Sequence, residues 1–180
     1  MNELACLRVT VCMRVTRKQA AVNRQRIVDS AVRLFAKRGV NGVGVAEVMG
    51  DAGFTHGGFY NHFASKDDLV LEACSTAFAR AVNSLRNGQR LQRARDADFA
   101  ALLSATMLSG SSKSSAALSA ISAKGVSEFL DILTDRYGDR DRAAAAFAGL
   151  VGARIISNAV ELADKELADR FGAVEYPAED

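Results

Sequence analysis

Residues 45–69 read V-A-E-V-M-G-D-A-G-F-T-H-G-G-F-Y-N-H-F-A-S-K-D-D-L, and this stretch decides the fold. Val45, Ala46, Val48, Met49 and Ala52 recur at helical spacing, and Gly53 ends the run. Thr55 stands where a short third helix needs an N-cap. Ser65, with Asp68 three residues on, forms a capping box that opens a fourth helix from Lys66 to about Arg86, about 30 Å long at 1.5 Å per residue. Two short helices about a Gly53-Phe54 turn, behind an earlier helix, make a helix-turn-helix whose last member would lie in a DNA major groove.

Upstream, Arg17 to Arg38 predicts a helix. Ala21, Ile27, Val28, Ala31, Val32, Leu34 and Phe35 form its apolar stripe, with Arg24, Arg26, Arg33, Lys37 and Arg38 largely outside it and Gly39 as C-cap. Gly44 or Val43 enters the second helix without a strong side-chain cap. Downstream, Asn87 to Asp98 is polar and weakly patterned, a loop, after which Phe99, Leu102, Leu103, Thr106 and Met107 resume helical spacing until Gly110. Leu118, Ile121, Val126, Phe129, Leu130 and Leu133 continue it from Ser114 to Tyr137, and Gly138 stops it. A last long helix runs from about Asp139 through Leu162, rich in small residues (Ala143–Ala146, Ala148, Gly149, Gly152, Ala153) that allow close helix approach. The only proline is Pro177, and no apolar/polar alternation supports strands, so the fold reads as all-α.

The chain has 180 residues, 49% hydrophobic and 24% charged, enough for one full domain or two small ones sharing a core. Its longest uninterrupted apolar or glycine run, Ala143 to Ala153, is shorter than the roughly 18 residues of a membrane span, so no membrane partner is expected. Cys6, Cys12 and Cys74 show no Cys-x-x-Cys spacing, which suits a reducing, cytoplasmic compartment and implies no metal site. Residues 1–12 lack the helical pattern and read either as a disordered extension or as lying ahead of a true start at Met13. The expected organisation is an extension over 1–12, a helix-turn-helix domain over 13–64, a helical regulatory and dimerisation domain over 65–172, and a tail over 173–180.

The net charge of +2 hides an asymmetry. Residues 13–66 carry nine Lys/Arg against three Asp/Glu, whereas residues 67–180 carry thirteen against seventeen. One module thus suits a polyanion and the other does not, although charge alone equally describes a solvated basic face.

The segment at 45–69, preceded by L-F-A-K-R-G-V at 34–40, resembles the TetR/AcrR family of bacterial transcriptional regulators, at motif level over about residues 17–72. The resemblance implies a homodimer that binds double-stranded operator DNA. It also implies a C-terminal helical domain with a small-molecule effector pocket, and a dimerising pair of helices near 114–137 and 140–164. The stretch from about Asn87 to Ser114 looks short for the family, which leaves fewer residues to wall a pocket.

Expected DNA-binding residues are Thr55, His56, Gly57, Gly58, Tyr60, Asn61, His62 and Lys66. Thr55 caps the recognition helix and donates to phosphate, Tyr60 offers a phenol to the backbone, and Lys66 sits at a helix N-terminus that favours phosphate. His56 and Asn61 are best placed to reach base edges, and His62 matches a phosphate-contacting position of the family. Gly57 and Gly58 each cost about 1 kcal/mol relative to alanine in a helix, so they serve either close approach to DNA or tight packing. Phe59 and Phe63 read as core. Gly44 replaces a hydroxyl residue common at the second-helix entry, and Ala46 offers no side chain to a base.

Phe78, Leu102, Met107 and Phe129 are the candidate effector-lining residues, though an apolar stripe also reads as plain core. Cys74 is either a redox reporter or an inert buried thiol. The two histidines both lie in the helix-turn-helix, and no nucleophile motif, phosphate loop or carboxylate cluster of recognisable spacing appears, so no enzyme and no cofactor are expected. The competing function is a protein-interaction or sensor module with secondary DNA binding.

Overall fold

A computed structural model describes residues 16–87 and 115–173, and every described element is helical. In chain order these are α1 (Arg17–Arg38), α2 (Val45–Asp51), a 3-10 helix (His56–Asn61), α3 (Lys66–Arg86), α4 (Ser115–Tyr137), α5 (Arg140–Val160) and α6 (Lys165–Gly172). The expected extension over 1–12, the 87–98 loop beyond Asn87 and the helical spacing at 99–107 lie outside the described residues.

Helix α1 starts where the Thr16 hydroxyl accepts the Gln19 N–H at 3.2 Å. It ends where Gly39, at φ +72°, returns its N–H to the Phe35 carbonyl at 2.9 Å. Its buried face comprises Ile27, Val28, Ser30, Ala31, Val32, Phe35 and Ala36, while Ala21 is exposed and Leu34 half-buried at the edges of the expected stripe. Helix α2 begins at Gly44 with no side-chain cap, as its sequence predicts. Helix α3 opens on the expected cap, the Ser65 hydroxyl accepting the Asp68 N–H at 3.1 Å. It packs on α1 and on α4, so it ties the N-terminal helices to the rest. One contiguous core runs from Ile27 and Phe35 through Phe59, Phe63 and Leu69 to Phe78, Phe129 and Phe147. Each such large side chain, fully buried, contributes about 1.5–3 kcal/mol.

Helices α4 and α5 are joined through Gly138, at φ +71°, and Asp139, whose carboxylate accepts the Arg142 N–H at 2.7 Å. The end of α5 differs from expectation: it closes at Val160 rather than running through Leu162, and a separate helix follows. Asp164 caps α6 by accepting the Leu167 N–H at 2.9 Å, and the Ser157 hydroxyl of α5 donates to the Ala168 carbonyl at 2.9 Å. The missed signal was Asp164 ahead of Leu167, Ala168 and Phe171 at helical spacing.

Helix α5 also departs from the expectation drawn from uninterrupted apolar runs. Its 21 residues include an 18-residue window of mean hydropathy 1.5, so by length and composition alone it could cross a membrane. Arg154 interrupts the apolar run, whereas the window averages across it. Only 17% of that window is buried, and Ile155 and Ile156 are 40% and 41% exposed.

Candidate nucleic-acid interface

The recognition segment is anchored from below. Phe59 and Phe63 are buried, their rings stacked at 5.5 Å. Both read as core in the sequence and both are core. With those rings turned inward, His56, Gly57, Tyr60 and Asn61 are exposed, Tyr60 by 69%, and His62 is half-buried with its ring 6.5 Å from that of Phe54. The tight turn that sets the segment against α2 depends on Gly53 at φ +80°, with the Phe54 N–H donating to the Met49 carbonyl at 2.8 Å. An L side chain rarely adopts that φ.

The segment is a 3-10 helix rather than the short α-helix its sequence suggests. The Gly58 N–H donates to the Thr55 carbonyl at 3.0 Å and the His62 N–H to the Phe59 carbonyl at 2.8 Å, both three residues back. Six residues containing two glycines have weak α propensity, and short pieces tolerate the tighter winding. Thr55 occupies the N-cap position, but its side chain makes no cap bond, contrary to the expected capping role.

The two glycines are not demanded by packing. A β-carbon at Gly57 would meet nothing within 4 Å, and one at Gly58 would touch the Met49 methyl at an ordinary 3.6 Å. Neither has a positive φ.

Two side chains, Arg24 and Lys66, hold the segment from the flanks. Arg24 of α1 lies over the Phe63 ring at 4.0 Å, donates to the His62 carbonyl, and forks onto the Glu72 carboxylate of α3, with Nε at 3.0 Å. Its place outside the apolar stripe in the sequence carried no hint of this. Lys66 donates from Nζ to the Val40 carbonyl at 2.6 Å and lies 5.9 Å from the Phe35 ring centre, so it also closes the α1–α2 connection. The acids of the basic segment are likewise engaged: Asp51 with Arg33 at 2.7 Å, Glu47 with Arg38 at 2.6 Å, and Asp29 with Arg80. Among the described residues, Arg17, Lys18, Arg26 and Lys37 make no ion pair, so with Lys66 they carry the positive excess of the described part of this segment.

The expected effector-lining residues fare differently. Phe78 is buried against Gly125, and Phe129 is fully buried, edge to face with Phe147 at 5.0 Å. Both serve as core between α3, α4 and α5. Leu102 and Met107 lie outside the described residues. An open groove of about 630 Å³ is lined instead by residues that include Leu85, Arg86, Glu128, Ile132 and Arg136. Burial pushes the Cys74 thiol up to about 12, so it stays protonated at neutral pH and lacks the thiolate a redox reporter needs.

The family of bacterial regulatory proteins, tetR family, matches residues 27–73. The HTH-type regulator YerO of Bacillus subtilis is 36% identical over 64 residues, covering 36% of this chain and 22% of that protein. The HTH-type transcriptional regulator AcrR of Shigella flexneri is 42% identical over 59 residues, covering 33% of this chain and 27% of the relative. The chain thus spans about a quarter of the length of these relatives. In fold, the chain is similar to a solved TetR/AcrR family member at a TM-score of 0.60 and 19% identity, over 84% of this chain and 95% of that one. The exposed recognition segment, the buried phenylalanines beneath it and the matched sequence coincide: residues 27–73 are similar to the bacterial regulatory proteins of the tetR family, and the helical fold is shared with a solved TetR/AcrR family member.

Proposed function

We propose that this protein is a homodimeric, sequence-specific DNA-binding regulator, a repressor released from a palindromic operator by a small-molecule effector. The observation that carries this reading is the recognition segment itself. His56, Tyr60 and Asn61 project from a short helix whose underside, Phe59 and Phe63, is sealed in the core. In this reading residues 13–64 form the DNA-binding domain and residues 65–172 the regulatory and dimerisation domain.

His56 and Asn61 read base edges, Asn61 by a bidentate pair on adenine, while Thr55, Tyr60, His62 and Lys66 hold phosphates. Lys66 keeps two of its three donors for that task beside its bond to Val40. Gly57 and Gly58 let the backbone approach the groove, a role favoured by the open space above Gly57. Helix α5 supplies the dimer surface: Ile155 and Ile156 stand exposed among the small residues Gly149, Gly152 and Ala153, and a second copy would cover them. Helix-on-helix burial also accounts for the apolar character of α5 without a membrane. An effector acts by binding one spacing of the two recognition helices more tightly than the other.

The test is selection of the purified protein against a random duplex library at near-physiological salt. An enriched inverted repeat, with half-sites about one helical turn apart, is the expected outcome. Retention without sequence preference would sink the proposal and leave an interaction module.

A further inference from the structure

Arg24 touches three elements at once. Its guanidinium lies over the Phe63 ring at 4.0 Å and donates from Nη1 to the His62 carbonyl. It meets the Glu72 carboxylate of α3 through Nη2 and through Nε, which lies 3.0 Å from both oxygens. His62 closes the recognition segment, where the carbonyls of a helix end have no partner within the helix. The start of the segment has no side-chain cap, since Thr55 makes no such bond. Arg24 therefore ties the end of the segment to α1, and Glu72 fixes that side chain from α3.

Neither stability nor charge accounts for the pair. The two side chains are 38% and 34% exposed, and an ion pair so open to water adds little to stability. Glu72 also cancels a cation beside a surface that faces a polyanion in the regulator reading, so by charge alone it opposes DNA binding. Orientation is what remains. A fork of parallel N–H···O bonds holds a long side chain in one geometry, and base contacts rest on hydrogen-bond distances and angles that tolerate little displacement. We propose that Glu72 is a positioning residue for DNA recognition: through Arg24 it fixes the end of the recognition segment and so sets sequence specificity. This deepens the regulator reading above and rests on it. An acidic side chain thereby strengthens binding to a polyanion at the right sequence.

The test compares Glu72→Gln and Arg24→Gln with Asp29→Asn in the full chain. Asp29→Asn removes the same charge from a second ion pair that bridges α1 and α3, with Arg80, and serves as the control. Each variant is titrated, well below its Tm and over a range of salt, with the duplex that wild-type protein selects and with a scrambled duplex of equal composition. Glu72→Gln should lower the ratio of specific to non-specific affinity by about tenfold, the loss of roughly one base contact, while non-specific binding holds or tightens. Arg24→Gln should lower the ratio likewise at an unchanged salt slope, because Glu72 already neutralises this guanidinium. Asp29→Asn should leave the ratio as it is. Amide exchange of His62 and Phe63, whose N–H groups both donate to the Phe59 carbonyl, should speed up in the first two variants and not in the control. Equal tightening on both duplexes in Glu72→Gln would overturn the proposal, since charge alone then explains the effect. So would equal losses of the ratio in Glu72→Gln and Asp29→Asn, which would make the pair a plain brace between helices, or a salt slope lowered by about one unit in Arg24→Gln, which would put Arg24 on a phosphate. Wild-type protein without a preferred duplex fails the regulator reading and this proposal with it, whereas a clear preference that Glu72→Gln leaves intact fails the positioning role alone.

Discussion

The ring of Phe78 on α3 lies so close over Gly125 on α4 that a β-carbon at position 125 would overlap its ring carbons. The glycine thus sets how near α3 and α4 approach, and it lets an aromatic ring fill the gap between them.

Gly125→Ala should therefore destabilise the protein, although alanine is the better helix former by about 1 kcal/mol. Overpacking of a closed core costs about 1–3 kcal/mol, which leaves a net loss of roughly 1 kcal/mol in urea unfolding. Phe78→Leu in the same chain should recover part of it, and additive effects in the double variant would refute the contact.

Lys66→Ala should show two separable effects. Loss of the bond to the Val40 carbonyl should lower stability by about 1 kcal/mol, and loss of a phosphate contact should reduce the salt dependence of DNA binding by about one unit of slope. An unchanged salt slope with lowered Tm would make Lys66 purely a brace. His56→Ala and Asn61→Ala should instead alter base preference in a repeated selection, and uniform weakening across sequences would contradict their assigned role.

Gly57→Ala should leave the fold intact or stabilise it by about 0.5–1 kcal/mol, since its β-carbon meets nothing and its φ is ordinary. DNA affinity should fall all the same, because the added methyl occupies the approach of the groove. Unchanged affinity would mean that the backbone there stays away from DNA.

Cys74 predicts a pH dependence on the alkaline side. Burial raises the thiol from 9.0 to about 12 in the folded chain. Between those values the unfolded state has lost a proton that the folded state keeps, so stability falls as pH rises, by up to about 1.4 kcal/mol per pH unit. Cys74→Ala should flatten urea stability between pH 9 and 11, and a slope identical to wild type would place the cause elsewhere. A thiol reagent should reach Cys74 in native protein only at the rate of unfolding.

The helix-turn-helix was legible because its determinants are local. Ser65 caps its neighbour three residues on, Gly53 permits a positive φ that few other residues tolerate, and the spacing of Val48, Met49, Phe59 and Phe63 marks one buried side. Helix α6 was local too, and its length of only eight residues hid it behind α5.

By itself the sequence determined the helical class, the position of the recognition segment and which of its aromatics turn inward, since periodicity and capping operate over three or four residues. Only the tertiary structure decided the rest, because each such feature joins residues far apart in the chain. Arg24 meets Glu72, and Lys66 meets Val40. Phe78 meets Gly125, which turned an expected effector wall into core. The Nε of the half-buried Arg154 has no hydrogen-bond partner, a condition that no spacing along α5 reveals. Side-chain burial and electrostatic pairing depend on which surfaces the fold brings together, and that is decided by packing of the whole core rather than by any one segment.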